Sequence, residues 1–273
     1  MKITKAIIPV AGWGTRRLPI TKTLEKCMMP VGNRPVIDYI VQDCIKAGIT
    51  DIYFIINEQS TQLRDYYRTN IDLNDYLRRN GKENLLGLIK PPMNINLHYI
   101  TQSSYGKYGT AIPVSLAYSQ INEGESVAVL MGDDFIYRRD DKSELARLIE
   151  AAGDDSAILT VPIPKEEVYK YGVIESNEYG EFVQIVERPD PESAPSNKIN
   201  VSKYVLNYNA LSIIEHYSEQ ELKTGEYQII DPINQYVSSG GILRVVDAEG
   251  EYLDSGTVQS WLKANETVIK DIY

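Results

Sequence analysis

Four short runs, Ala6–Val10, Ile52–Ile56, Leu97–Ile100 and Val127–Met131, are apolar at almost every position. A strand can be apolar on both faces only where both are covered, as they are in a parallel sheet. Between these runs lie segments whose apolar residues recur at helical spacing. Val36–Ala47 carries Val36, Ile40, Cys44 and Ala47 on one face, and Gln59–Tyr67, Ala111–Tyr118 and Leu145–Ala152 follow. Strands alternating with helices predict an α/β fold built on a doubly wound, mostly parallel sheet. Such sheets hold ligands beyond the carboxyl ends of their strands, where Gly12, Gln102 and Asp133 fall.

The pattern changes after Ala157–Pro162. Gly172–Glu175, Phe182–Glu187 and Lys203–Leu206 read as short strands between turn residues, a smaller β region attached to the sheet. "DPESAPSN", residues 190–197, has a linker's composition but is expected to be a loop, since neither side has a complete sheet of its own. Ile242–Val246 is a further expected strand, and Thr257–Ile272 a helix starting after Asp254-Ser255-Gly256. One domain over 1–273 is expected, in two halves, 1–155 and 156–250, with a C-terminal helix segment at 251–273.

The net charge of −10 disfavours nucleic acid and anionic membranes as partners. The N-terminal apolar run is too short and wrongly flanked for a signal peptide, and nothing approaches the ~18 residues of a membrane span. Two cysteines make no disulfide framework in a chain of this size. The expectation is a cytoplasmic protein with reduced thiols.

Against that acidic background, "AGWGTRRLPITKTLEK" concentrates Arg16, Arg17, Lys22 and Lys26 just after a glycine turn. Arg17 stands where a dinucleotide fingerprint needs its third glycine, and the P-loop Gly-Lys-Ser/Thr is absent. What remains suits phosphate. Gly12 and Gly14 allow backbone N–H groups to approach its oxygens, Arg16 offers a planar fork, and Lys26 a point charge. "MGDDF", 131–135, and "YLDSGT", 252–257, place Asp133 and Asp254 after strands, where carboxylates can hold Mg²⁺ together with phosphate oxygens. Taken singly, each aspartate reads better as a turn or N-cap residue, and only beside the cationic loop do the two form a set suited to phosphate and a divalent metal. Glu187 and Arg188 end a strand and suit either sugar and phosphate contacts or a strand-edge ion pair. His98 and His216 have no metal spacing, G-x-S-x-G is absent, and Cys27 reads as a core or loop residue.

The whole set resembles the sugar-1-phosphate nucleotidyltransferases, the nucleotide-sugar pyrophosphorylases, and within them the uridylyltransferases. The resemblance rests on "IPVAGWGTRRLPITKTLEKCMMPVGNRPVIDYIV", Gln102 with "GTA" at 109–111, "GDD" at 132–134 and "YGVI" at 171–174. "VERPDPESAPSN" at 186–197, "GEYQIID" at 225–231 and "YLDSGTVQSWLKAN" at 252–265 follow in the family's order. It implies a Rossmann-like nucleotidyltransferase fold, a homo-oligomer, and the reaction of UTP with glucose 1-phosphate to give UDP-glucose and pyrophosphate. It assigns Ala11, Gly12, Gly14, Gln102 and Gly109 to the nucleotide, and Arg16 and Lys26 to the triphosphate as catalytic cations. Asp133 and Asp254 become the Mg²⁺ ligands. Gly172, Glu187 and Arg188 become the sugar-phosphate contacts, which makes 1–155 the nucleotide half and 156–250 the sugar-phosphate half.

Five residues depart from the family pattern. Glu25 and Cys27 flank Lys26 where the family has proline and glutamate, and Arg188 replaces lysine. Ser202 replaces glycine and Ile230 threonine, at positions expected to hold sugar or nucleotide. Two alternatives follow: a sister enzyme using dTTP or another sugar 1-phosphate, and a catalytically silent nucleotide-sugar sensor.

Overall fold

The computed structural model describes residues 2–222 and 225–272. Its first half runs β1 (Lys5–Pro9), a hairpin of β2 (Pro30–Val31) and β3 (Arg34–Pro35), α1 (Val36–Lys46) and β4 (Asp51–Asn57). Next come α2 (Gln62–Tyr67), α3 (Ile71–Arg79), β5 (Asn96–Gln102), α4 (Ala111–Ala117), β6 (Val127–Leu130) and β7 (Asp134–Tyr137). The second half adds α5 (Glu144–Ala152), β8 (Ser156–Pro162), β9 (Gly172–Ser176), β10 (Phe182–Glu187) and β11 (Lys198–Leu206). It continues with α6 (Tyr208–Glu219), α7 (Ile230–Ser238), β12 (Leu243–Asp247), β13 (Glu251–Asp254) and α8 (Val258–Ile272).

Nine strands form one sheet. The path β10-β9-β11-β6-β1-β4-β5 carries β8 on β11 and β12 on β8. Neighbours among β6, β1, β4 and β5 are parallel, with Lys5 opposite Asp51 and Ile7 opposite Val129. β11 runs antiparallel to β6, β8 and β9, so the second half is woven into the sheet of the first.

Burial explains why β1, β4 and β6 were apolar throughout, whereas β5, expected to be buried likewise, lies at the sheet edge and is only partly covered. Along β1, Ala6 and Ile8 enter one core while Ile7 enters the other. β4 divides likewise, with Ile52, Phe54 and Ile56 against Tyr53 and Ile55. Side chains alternate across a strand, so covering both faces demands apolar residues at every position. Helices α1, α5 and α8 cover the first core, and α4, α6 and α7 the second.

Helix ends follow local chemistry. Asn70, Ser143 and Asn207 accept the N–H groups of Leu73, Ala146 and Ala210 and so cap α3, α5 and α6. α3 has a short apolar face of Leu73, Tyr76 and Leu77, of which only Leu77 is buried.

Of the C-terminal helix segment marked at 251–273, residues 251–254 are the strand expected before Asp254, and the helix expected over Thr257–Ile272 follows as α8. β13 pairs with β7 in a two-stranded ribbon that sets Asp254 opposite Asp134. α8 then crosses back over the β2–β3 hairpin. Its Trp261 Nε1 donates to Pro30 O at 2.7 Å, and Asn265 Oδ1 accepts from Gly32 N at 3.0 Å. No helix among the described residues is long and apolar enough to cross a membrane.

Candidate active site

The carboxyl ends of β1, β5 and β6 open onto a cleft of about 500 Å³, within the range of small-molecule sites. Its walls are the turn from Pro9 to Arg16, Lys26 and Cys27, the Gln102–Ser104 segment, Tyr108–Thr110 and Met131–Asp133. Eight residues singled out in the sequence therefore share one cavity: Ala11, Gly12, Gly14, Arg16, Lys26, Gln102, Gly109 and Asp133. Gly172, Glu187, Arg188 and Asp254 are not part of its lining.

The glycines here have separate physical reasons. Gly14 is left-handed at φ +64, and a Cβ would lie 3.0 Å from Thr21 Cγ2 and 3.1 Å from Lys26 Cβ. Thr21 Oγ1 donates to Gly14 O at 2.9 Å and fixes the turn. Gly109, at φ +123, lies so close to Tyr227 that a Cβ would meet its backbone at 2.5 Å. Around Gly12 there is open space instead, facing the cleft.

The four loop cations do not form one cluster. Arg16 is exposed at the cleft and has no ion-pair partner among the described residues. Arg17 turns inward, buried, with its guanidinium carbon 5.3 Å from the Trp261 ring centroid and Nε and Nη1 without hydrogen-bond partners. Lys22 is exposed and outside the cleft. Lys26 reaches across the cleft and pairs with the Asp133 carboxylate.

The two aspartates of "GDD" part company. Asp133 faces the cleft, whereas Asp134 is buried, ion-paired with the buried Lys203 and hydrogen-bonded by Tyr252 Oη at 3.0 Å. Burial pushes the Asp134 carboxyl up, opposed by the Lys203 ammonium. Ser255 ties the next strand to this turn, its N and Oγ donating to Asp133 O at 3.2 and 2.7 Å. Asp254 is thus held one residue from an anchor on Asp133, and its Oδ1 accepts Gly256 N at 2.7 Å.

Gly172 lies opposite Glu187 across β9 and β10. A Cβ at Gly172 would stand 2.7 Å from Glu187 Oε1 and 2.8 Å from Ile185 Cδ1, so a larger residue there would displace the ends of both side chains. Arg188 is left-handed at φ 48, and its N–H donates to Tyr171 O at 2.9 Å.

Two departures expected at ligand contacts lie outside the cleft lining. Ser202 adopts φ 50 at an irregularity in β11, its N–H donating to Asn200 Oδ1 at 2.8 Å. A left-handed backbone is what glycine would serve there. Ile230 starts α7 and packs on the second core. Cys27 is a core residue whose thiol burial pushes far up, which excludes a ready thiolate.

The cleft also holds residues that sequence reasoning did not assign: Trp13, Ser103, Ser104, Tyr108, Pro113 and Glu226. Ser103 and Ser104 directly follow Gln102 at a strand end, a signal that was present. The Ser104 hydroxyl and N–H bond Glu58 at 2.6 and 2.7 Å, holding that carboxyl down at about 2.

The Nucleotidyl transferase family profile matches residues 5–271. The chain belongs to the nucleotidyl transferase family. UTP–glucose-1-phosphate uridylyltransferase 1 of Staphylococcus saprophyticus is 33% identical over 281 residues, covering 100% of this chain and 95% of that protein. A Methanocaldococcus jannaschii protein provisionally given the same activity is 36% identical, covering 96% of this chain and 92% of its own. Among solved structures, the UTP-bound UGPase of Acinetobacter baumannii superposes with TM-score 0.86 at 28% identity, over 97% of this chain and 93% of that one.

Proposed function

We propose that the protein transfers the uridylyl group of UTP to α-D-glucose 1-phosphate, releasing UDP-glucose and pyrophosphate. One observation carries the reading: the glycine turn, Lys26, Gln102 and Asp133 line a single cleft at the strand ends. The relatives' names give the substrates. Gln102 and the Ala11–Gly12 backbone would read the pyrimidine, and the open space at Gly12 leaves room for close approach. Arg16 and Lys26 would hold the triphosphate. Gly172, Glu187 and Arg188 would hold the sugar phosphate.

Glucose 1-phosphate already carries about −1.5 to −2 charge at pH 7, with a second pKa near 6, so no general base is needed. Its phosphate oxygen attacks the α-phosphorus in line as the bond to the β-phosphate oxygen breaks. Positioning and neutralised charge supply the rate. Lys26 would follow the pyrophosphate as it leaves.

The donor set suits Mg²⁺. Asp133 and Asp254 offer two carboxylates from neighbouring strand ends, the number this ion takes beside phosphate oxygens. The Lys26 ammonium stands on Asp133 as a cation already. Among the described residues no group of three or more His, Cys, Asp or Glu side chains could hold a metal, so phosphate would complete the shell. When bound, the ion would polarise the α-phosphate and offset its charge. We further propose a homo-oligomer working in the cytoplasm, on small anions and neither nucleic acid nor membrane.

The test is pyrophosphate release with a panel of nucleoside triphosphates and sugar 1-phosphates. UTP with glucose 1-phosphate should be fastest. Faster release with dTTP or another sugar phosphate would reassign the substrate, and silence with every pair would make the chain a sensor.

A further inference from the structure

Glu25 puts a negative charge beside Lys26, in a loop proposed to attract phosphate. Left free, that carboxylate would repel a triphosphate and compete for the lysine. The structure gives it other partners. Glu25 Oε1 accepts the N–H groups of Thr61 and Gln62, both at 2.8 Å, and Oε2 accepts the Ser60 hydroxyl at 2.5 Å. Gln62 answers: its Oε1 accepts Glu25 N–H at 2.9 Å, and its side-chain amide donates to Thr23 O at 2.7 Å.

These five bonds clasp the cationic loop to the start of α2, where the first N–H groups have no partner inside the helix. Thr61 itself provides no side-chain cap. The carboxylate is therefore fully engaged away from the cleft. On the other side of Lys26, Cys27 is buried in the first core. Both neighbours of the lysine are anchored, and only its own side chain is left to move.

We propose that Glu25 is a positioning residue for Lys26, fixing the backbone from which the ammonium reaches Asp133 and, on the reading above, the triphosphate. The loop needs an anchor because a cation helps only when aimed before the reaction begins.

A double-mutant cycle tests this, since residues that act through one another do not add. Glu25→Ala, Lys26→Ala and the double variant are compared with wild type by kcat/KM for UTP. Binding of UTP by calorimetry runs the same cycle without turnover. Glu25→Ala should lower kcat/KM and UTP affinity about fivefold or more in the wild-type background, yet less than about 1.5-fold when Lys26 is already alanine. Glu25→Gln, which keeps an acceptor oxygen, should recover most of the loss, and the thermal unfolding midpoint of each variant shows whether misfolding is responsible. Equal losses in both backgrounds, or no loss in the first, would overturn the proposal. A wild type that binds UTP but releases no pyrophosphate overturns the enzymatic reading alone, and the binding cycle still decides the role of Glu25.

Discussion

Replacing Lys203 with methionine should be the most damaging single change outside the cleft. Lys203 and Asp134 are 5% and 8% exposed, and the ammonium also donates to Asp134 O at 3.2 Å. Removing one partner of a buried pair leaves an uncompensated ion, at a cost of about 3–5 kcal/mol. At roughly 2–4 °C per kcal/mol for domains of comparable size, the midpoint of thermal unfolding should fall by about 6–20 °C. The loss should depend on pH. Burial raises the Asp134 carboxyl, so ionising it costs the folded state stability as pH climbs past the ordinary carboxylate range, and nothing below it. Lys203 offsets that cost. Without it the raise grows, and the variant's deficit should be wider at pH 8 than at pH 5. Lys203→Met with Asp134→Leu should regain at least half of the loss, because apolar replacement of both ions is often nearly neutral. Thermal unfolding followed by circular dichroism in EDTA measures all three. A deficit below about 1 kcal/mol, equal deficits at both pH values, or a double variant no better than the single would refute the reasoning.

Asp133→Asn and Asp254→Asn should each lower kcat at least ~10²-fold, and full activity of EDTA-treated protein would dismiss the metal. Lys26→Ala should lower kcat/KM in both reaction directions by about 2–4 kcal/mol, its partner being common to UTP and pyrophosphate; a change confined to sugar selectivity would contradict that role. Arg188→Lys should raise KM for glucose 1-phosphate and spare UTP, with Arg188→Ala more severe, since a planar fork and a point charge are not interchangeable; titration of each substrate separates the two. Gly109→Ala should cost about 1–3 kcal/mol of stability from its left-handed backbone alone and more from the clash with Tyr227, read by chemical denaturation; an unchanged midpoint would show that the turn can relax.

The sheet was legible because β1, β4 and β6 are buried on both faces, which leaves a run of apolar residues that few other structures tolerate. α3 was not, because its apolar face, Leu73, Tyr76 and Leu77, is short and mostly exposed, so the pattern does not mark a core-facing helix. The pairing of β7 with the strand before Asp254 was invisible for a different reason. The two strands are four residues long, and their pairing depends on chain more than a hundred residues apart. Asp133 was assigned from the end of its strand, but the burial of Asp134 against Lys203 comes from long-range packing that the motif does not show. In the site, Arg16, Lys26, Gln102 and Asp133 could be placed from strand ends and charge. Gly172, Glu187 and Arg188 rested on resemblance, since nothing local distinguishes a sugar contact from a strand edge. Glu25 looked like a defect in the motif; its partners at Ser60–Gln62 appear only once the chain has folded.

The packing of α8 on the β2–β3 hairpin sets a timetable for synthesis. The bond from Gly32 to Asn265 spans 233 residues, on the order of 10–50 s of elongation at ~5–20 residues per second. Until residues 258–272 emerge, Arg17 lacks the indole it rests on, and the Pro30 and Gly32 backbone lacks its partners. Asp133 O likewise waits for Ser255. A nascent chain therefore carries the whole cationic loop long before it has the helix on which Arg17 rests. Premature termination would yield a cleft whose loop and hairpin lack their backing.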